Sequence, residues 1–309
     1  MIPRPDRKIT DILKERKFTL SAEIVPPRNG SSAEAILDQL RRLTQAGCQF
    51  MSVTKGAGGS LRGGSLPIAQ SIKETFQLPC IAHFTSRDLL PEEVENQLVD
   101  HHLFGIRNIL ALRGDPPQGV PNWVPRDGSF PFAYQLVERI RELNAGRYIE
   151  RKGYSVAGRE STDFCIGVAC YPDHPVATER VAFFKRKFEA GAEYAISQML
   201  FDADSYARFL DDTAKAGCAL PILPGTRLLK SRQQALKMAK RFGIPVAQWY
   251  LNLLPETDAE TNPWRSLEAF MNLADKFKSH GAPGIHIFVL SDTELAEKAL
   301  FHLAPKSKP

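Results

Sequence analysis

Short runs of apolar and β-branched residues recur along the chain, separated by stretches whose apolar positions return every three or four residues. The first kind reads as strands and the second as amphipathic helices. Eight strands are expected: TLSAEIV (19–25), QFMSVT (49–54), CIAHF (80–84), NILALR (108–113), FCIGVA (164–169), YAISQM (194–199), ALPILP (219–224) and GIHIFVL (284–290). Between them, 32–46 carries Ala35, Ile36, Leu40 and Leu43 at helical spacing, and 91–103 opens with Pro91 and two glutamates. Proline lacks the amide hydrogen that a first helical turn leaves unpaired, and acids suit the positive end of the helix dipole. Three units end alike, at Ala46-Gly47, Ala190-Gly191 and Ala216-Gly217, as one repeated βα module would.

Eight alternating units predict a single (β/α)8 TIM barrel over 1–309, with a short N-terminal helix at about 6–16 and an extended loop around 144–164. Spacing alone leaves a doubly wound sheet open. No glycine-rich dinucleotide turn follows the first strand, however, and GAGGSLRGG (56–64) has neither the G-x-G-x-x-G order nor the P-loop lysine. That segment reads either as a surface loop or as a loop that covers a ligand.

Composition narrows the function classes. The net charge of +5 comes from 40 basic and 35 acidic residues spread along 309 positions, so no polybasic run marks a nucleic-acid partner. The five cysteines, Cys48, Cys80, Cys165, Cys170 and Cys218, form no C-x-x-C pair and read as reduced core thiols. The N-terminus MIPRPDRKITDIL lacks an apolar signal region, and no later run approaches the roughly 20 apolar residues of a membrane span. A cytoplasmic protein without a membrane partner is expected.

Barrel chemistry gathers where strands end and βα loops begin. Glu23, Thr54, His83, Asp115, Tyr171 and Gln198 stand at six such ends. Singly, Glu23 could be an ion-pair partner, Thr54 a capping hydroxyl and His83 a core histidine; together they predict a site. His83, His101, His102 and His174 show no ligand pattern with a carboxylate, so no metal is expected, and His101-His102 read as an exposed helix end. In LALRGDPPQG (110–119) a buried strand runs into a carboxylate, and Pro116 and Pro117 then restrict the backbone that holds it.

The motifs AEIVPPR, SVTKGAGGS, AHFT, ALRGDPP, FPFAYQLV, ACYPDHP, KRKFEAGAEYAISQMLFD, PILPG and GIHIFVL, in this order, resemble the methylenetetrahydrofolate reductase family over nearly the whole chain. The resemblance implies a homo-oligomeric barrel that holds FAD and reduces 5,10-methylenetetrahydrofolate to 5-methyltetrahydrofolate. It implies ping-pong transfer of hydride through flavin N5, with NADH or NADPH as donor. Carried over by residue, it implies Thr54, His83, Leu112, Arg113, Gly114, Asp115, Ala133, Tyr171 and His174 around the flavin, with Arg186 and Lys187 near its phosphates. Glu23 would be the general acid, Asp115 an electrostatic and substrate-binding group, and Gln198 and Gln234 further folate contacts. A glutamate at a largely apolar mouth should have a raised pKa, because burial disfavours its charged form.

Several positions depart from the family pattern. Ser291 and Asp292 stand where Asn-Arg is frequent, and Met238 where an aromatic stacks on the nicotinamide. Lys55 replaces an aromatic or neutral residue, and Phe183 replaces a polar residue near the flavin phosphate. The segment from YPDHP to KRK is shorter than usual, and 144–164 is longer and more polar. These departures leave two alternatives: a reductase, or methyltetrahydrofolate oxidase, served by an electron-donor protein that docks at 144–164, and a flavin-free folate-binding subunit of a larger complex.

Overall fold

Parallel strands need both faces covered, which is why each strand here is followed by helix. The computed structural model describes residues 3–27, 32–60, 63–120, 122–153, 155, 159–258, 262–290 and 292–304. A short helix, α1 (Ile9–Glu15), precedes β1 (Thr19–Ile24), α2 (Glu34–Gln45), β2 (Phe50–Val53), α3 (Ser65–Glu74), β3 (Cys80–Thr85) and α4 (Pro91–Leu103). Then come β4 (Asn108–Leu112), α5 (Ala133–Asn144), β5 (Cys165–Cys170), α6 (Ala177–Ala190), β6 (Tyr194–Met199) and α7 (Ala203–Lys215). The chain ends with β7 (Ile222–Thr226), α8 (Arg232–Phe242), α9 (Gln248–Leu253), α10 (Pro263–Ser279), β8 (Gly284–Phe288) and α11 (Thr293–Leu303).

All eight strands are parallel and close on themselves in chain order, with β8 pairing β1 from Thr19↔Gly284 to Glu23↔Phe288. That closure rules out the doubly wound alternative. The expected left-handed residues end three of the helical units, at Gly47, Gly191 and Gly217. The seventh strand lies later than expected: Pro221 has no amide hydrogen to give a ladder, and the strand starts after it and runs through Gly225 and Thr226. Gly225 has weak strand preference, but β8 supplies Gly225↔His286 and Thr226↔Ile287 as partners.

Alternation along each strand builds two cores. Ala22, Ile24, Met51, Val53, Ala82, Phe84, Ile109 and Ala111 face outward against the helices. Phe50, Ile81, Leu110, Cys165, Tyr194, Ile196 and Leu223 face inward and form a second cluster with Ile9, Ile12 and Leu13 of α1. The N-terminal helix therefore plugs the base of the barrel. Asn108 ties it there, since its Oδ1 accepts from Ile9 N at 2.8 Å and its Nδ2 donates to Arg7 O at 2.8 Å. Tyr194 reaches across the interior because its register partner is Gly167, where a Cβ would lie 2.3 Å from the tyrosine ring. Above this dry floor the inward positions turn polar, with Ser21, Ser52 and His286 and then Glu23 and His83.

All five cysteines are buried and free. Burial pushes the thiols of Cys48 and Cys170 up to about 12 and that of Cys165 to about 11, and raises Cys80 and Cys218 as well. The thiolate is the reactive form. A disulfide-exchange reagent at pH 8 should therefore find no fast-reacting thiol in the native protein and all five after denaturation. A rapid native equivalent would contradict this packing.

Candidate active site

At the C-terminal end of the strands lies a cavity of about 490 Å³, lined on its floor by Glu23 of β1, His83 and Thr85 of β3, Leu112 of β4, Gln198 of β6 and Phe288 of β8. The βα loops add Arg113, Gly114, Asp115, Tyr171 and His174, α5 adds Ala133 and α6 adds Lys187. The volume lies in the range of small-molecule sites, and the mixture of apolar wall and few polar groups is their usual chemistry. A second groove, of about 610 Å³, runs between Arg232 and Arg265 and is lined by no strand residue.

Glu23 is 9% exposed, and burial raises its carboxyl from the ordinary 4.5 to about 8. Its Oε2 lies 3.6 Å from Nε2 of His83, which burial lowers to about 3. Near neutrality both groups are uncharged, so this contact is a neutral pair and not an ion pair. His83 Nε2 and Thr85 Oγ1 are buried without a hydrogen-bond partner, and both residues line the cavity. Buried polar atoms are normally paired, so two unpaired ones at one cavity wall are places for a ligand's polar edge.

Asp115 is fixed by a clasp between two loops. Its Oδ2 accepts the Gly58 amide at 2.8 Å, its carbonyl accepts Arg87 Nη1 at 2.7 Å, and Gln118 N donates to Gly59 O at 3.1 Å. The glycine-rich segment 56–60 is thus folded onto the loop after β4, and Gly56 and Ala57 line the cavity. Gly114 has φ +92°, and a Cβ there would lie 2.9 Å from Arg87 Cβ and 3.2 Å from Thr85 Cβ. The need for glycine at 114 therefore comes from its neighbours in the chain, beyond any approach of a ligand.

Three residues implied by the resemblance stand outside the cavity lining. Thr54 is buried, with its amide bonded to Ile24 O and its carbonyl accepting Ser65 Oγ. Arg186 is exposed on α6, 6.0 Å from the Tyr134 ring. Gln234 Oε1 accepts from Lys230 N at 2.8 Å, which keeps that side chain on the α8 entry. His101 is buried, contrary to the expected exposed helix end: Nδ1 lies 2.6 Å from Gln97 O and the ring packs edge-on against Phe84. A pattern of like polar neighbours could not show which helix face His101 occupies. Thr85, Ser197, Tyr134 and Phe288 line the cavity without having been singled out. For Thr85 and Phe288 the signal was present, since each lies two residues after an inward histidine.

Of the departures, Ser291 lies outside the described residues, and the others can be placed. Asp292 pairs with Lys230 at 2.5 Å and Arg227 at 3.6 Å, so the inverted charge clamps the loop after β7. Met238 is buried against the helical layer and is absent from the cavity lining. Lys55 and Phe183 both line the cavity; Lys55 Nζ donates to Gln97 Oε1 and sits 4.3 Å from the Phe84 ring centroid. The described part of 144–164 is pinned to α4 through Glu95, whose carboxylate accepts Ile149 N at 2.9 Å and lies within 3.8 Å of Arg139, Arg151 and Arg159.

A barrel whose strand ends converge a buried acid, unpaired polar atoms and an apolar wall on one cavity has the framework of an enzyme. The particular family follows from comparison: residues 8–303 match the Methylenetetrahydrofolate reductase family model, and the chain belongs to that oxidoreductase family. It is 30% identical over 288 residues to the Escherichia coli 5,10-methylenetetrahydrofolate reductase, covering 91% of this chain and 88% of that one. It is 28% identical to an Arabidopsis thaliana protein named methylenetetrahydrofolate reductase (NADH) 1, covering 96% of this chain but only 50% of the longer plant protein. A Clostridium thermocellum structure, described as an uncharacterized protein binding two copies of 5-methyl-5,6,7,8-tetrahydrofolic acid, shares the fold with a TM-score of 0.60 at 14% identity. That alignment covers 96% of this chain and 99% of the other. No helix among the described residues is long and apolar enough to cross a membrane, and no group of three or more His, Cys, Asp or Glu among them could hold a metal ion.

Proposed function

We propose that this chain is a flavin-dependent reductase converting 5,10-methylenetetrahydrofolate to 5-methyltetrahydrofolate. The observation that carries the reading is Glu23, a buried carboxyl that keeps its proton near neutral pH and faces the cavity of a barrel of this family. Opening the methylene bridge of the folate requires a proton on N10, and a carboxylic acid with a midpoint near the working pH both holds and releases one. Asp115, its carboxylate oriented by Gly58, stabilises the cationic folate that ring opening produces. Gln198, at the end of β6, offers both a donor and an acceptor to the pterin edge.

The cavity suits FAD. His83, Thr85 and the backbone of Arg113 and Gly114 would hold the polar edges, Leu112, Ala133 and Tyr171 the apolar faces, and Lys187 an anionic portion. Lys187 Nζ is bonded to Ala169 O at 2.7 Å and lies 5.4 Å from the Tyr171 ring; burial lowers its pKa, so a bound anion would favour its charged form. When bound, FAD supplies a two-electron carrier that takes hydride from one partner and gives it to the next, hence ping-pong kinetics. We assign NADH or NADPH as donor, and a homo-oligomer acting in the cytoplasm completes the reading; the buried, free thiols suit that reducing compartment.

A preparation of the protein should be yellow, bleach with one of the two nicotinamides under anaerobic conditions, and recover its colour on adding methylenetetrahydrofolate. A protein that stays colourless after incubation with FAD sinks the reading. Bleaching by neither nicotinamide, but by methyltetrahydrofolate, would move the donor to a protein partner. For Asp115→Asn, loss of a fixed negative charge should raise the flavin midpoint potential by roughly tens of millivolts. A redox titration giving an equal or lower potential counts against this role.

A further inference from the structure

Beneath Glu23 lies a side chain that the proposed chemistry does not use. His286 of β8 is fully buried inside the barrel, with Nδ1 2.8 Å from Ser21 Oγ and Nε2 3.0 Å from Ser52 Oγ. Ser21 Oγ also donates to Ile285 O at 3.1 Å. A hydroxyl has one proton, and a carbonyl can only accept. With that proton on Ile285 O, Ser21 accepts from His286, which puts the ring proton on Nδ1 and leaves Nε2 bare. Nε2 then takes the hydroxyl proton of Ser52.

Ser52 is the register partner of Glu23 on the neighbouring strand, and both side chains point into the barrel. Freed from His286, its hydroxyl would be able to turn toward the Glu23 carboxylate from the neighbouring strand. We propose that His286 is a positioning residue for the proton site: by accepting the Ser52 hydroxyl it denies Glu23 a hydrogen bond that would favour the carboxylate, and so keeps the acid protonated.

The surroundings leave few competing groups. From β3 the titratable neighbour is His83, which burial keeps neutral, and from β8 it is His286 itself, likewise neutral. Charged groups on the same cavity are Lys55, Arg113, Asp115 and Lys187, with His174 as a further titratable one; Lys55, Arg113 and Asp115 are bonded to Gln97, to Gly114 O and to Gly58. A hydrogen bond to the ionised form lowers a carboxyl's midpoint, whereas burial alone raises it.

The inference rests on Glu23 being the acid of the proposed reaction, but its test needs no turnover. Difference infrared spectra of the carboxyl band that disappears in Glu23→Gln report the Glu23 midpoint directly, in the protein as purified. The wild type should titrate near 8. In His286→Leu, which is close in volume and cannot accept, the midpoint should fall by about one pH unit or more. In His286→Leu/Ser52→Ala it should return toward the wild-type value, and Ser52→Ala alone should leave it in place. A midpoint unmoved in folded His286→Leu, or equally low in the double variant, overturns the proposal. Should His286→Leu fail to fold, ¹⁵N spectra of the wild type decide: the Nδ1–H tautomer supports the assignment and the Nε2–H tautomer refutes it, with His286→Gln identifying the resonance. Midpoints that move as expected in a wild type unable to reduce methylenetetrahydrofolate would instead count against the proposed reaction and leave this assignment standing.

Discussion

Replacing Glu23 with glutamine is expected to stop folate reduction while making the protein more stable at alkaline pH. The amide has no proton to give N10, so the folate half-reaction should slow by about 10²–10⁴-fold, the usual worth of a positioned acid. Flavin reduction by the nicotinamide, which needs no such proton, should change little, and stopped-flow traces of the two half-reactions separate them. Equal damage to both would mean that Glu23 builds the site and does not supply the proton.

The stability effect follows from the same burial. In the unfolded chain Glu23 ionises at about 4.5, whereas in the folded protein it holds its proton up to about 8. Between those values the folded state binds more protons than the unfolded one, so this group's contribution is fully present below pH 4.5 and is lost as pH rises through about 8. Glutamine does not titrate. The variant should therefore gain on the wild type over that interval, by a few kcal/mol at about pH 9, since each pH unit separating the folded and unfolded midpoints is worth about 1.36 kcal/mol and partial relaxation reduces the total. Urea midpoints at pH 5 and pH 9 check it; parallel curves at both would refute a raised carboxyl.

Gly59→Ala should open the clasp over the cavity and leave the barrel intact. Gly59 has φ +75°, and a Cβ there would lie 2.1 Å from Pro116 O and 2.7 Å from Gln118 N. Both are backbone atoms, so no side-chain rotation relieves the contact. The loops must part, which breaks the bond from Gln118 N to Gly59 O and frees Asp115 from the Gly58 amide. The left-handed conformation adds roughly 1 kcal/mol against alanine. Affinity for FAD should fall at least about tenfold, a loss of some 1.4 kcal/mol of binding, while the thermal midpoint moves little because both segments lie outside the strands. A flavin titration matching the wild type would separate the clasp from the cofactor site.

How much of this was legible beforehand differs by kind of residue. Glu23, His83 and Gln198 were found because each ends a strand, and a parallel barrel places every strand end at one mouth. The raised pKa of Glu23 was expected; that His83 and Phe288 stand beside it was not, because they come from β3 and β8. Arg186 and Lys187 are adjacent in sequence, yet a helix turns successive residues by about 100°. Lys187 therefore reaches the cavity while Arg186 faces outward, and motif matching alone treats them alike. Asp292 read as an inverted charge, and its meaning waited on Lys230 and Arg227 coming beside it from the preceding unit.

By itself, the order of apolar and polar positions determined the eight βα units, their direction and the end of the barrel that carries chemistry, because those depend on local periodicity and on the rule that parallel strands share one polarity. Only the tertiary structure decided which polar groups lose their water and which find partners: the neutral Glu23–His83 pair, the Ser21–His286–Ser52 bridge and the Gly58–Asp115 clasp. Charge state and hydrogen-bond direction depend on what surrounds an atom within a few ångströms, and here most of those neighbours come from other strands and loops.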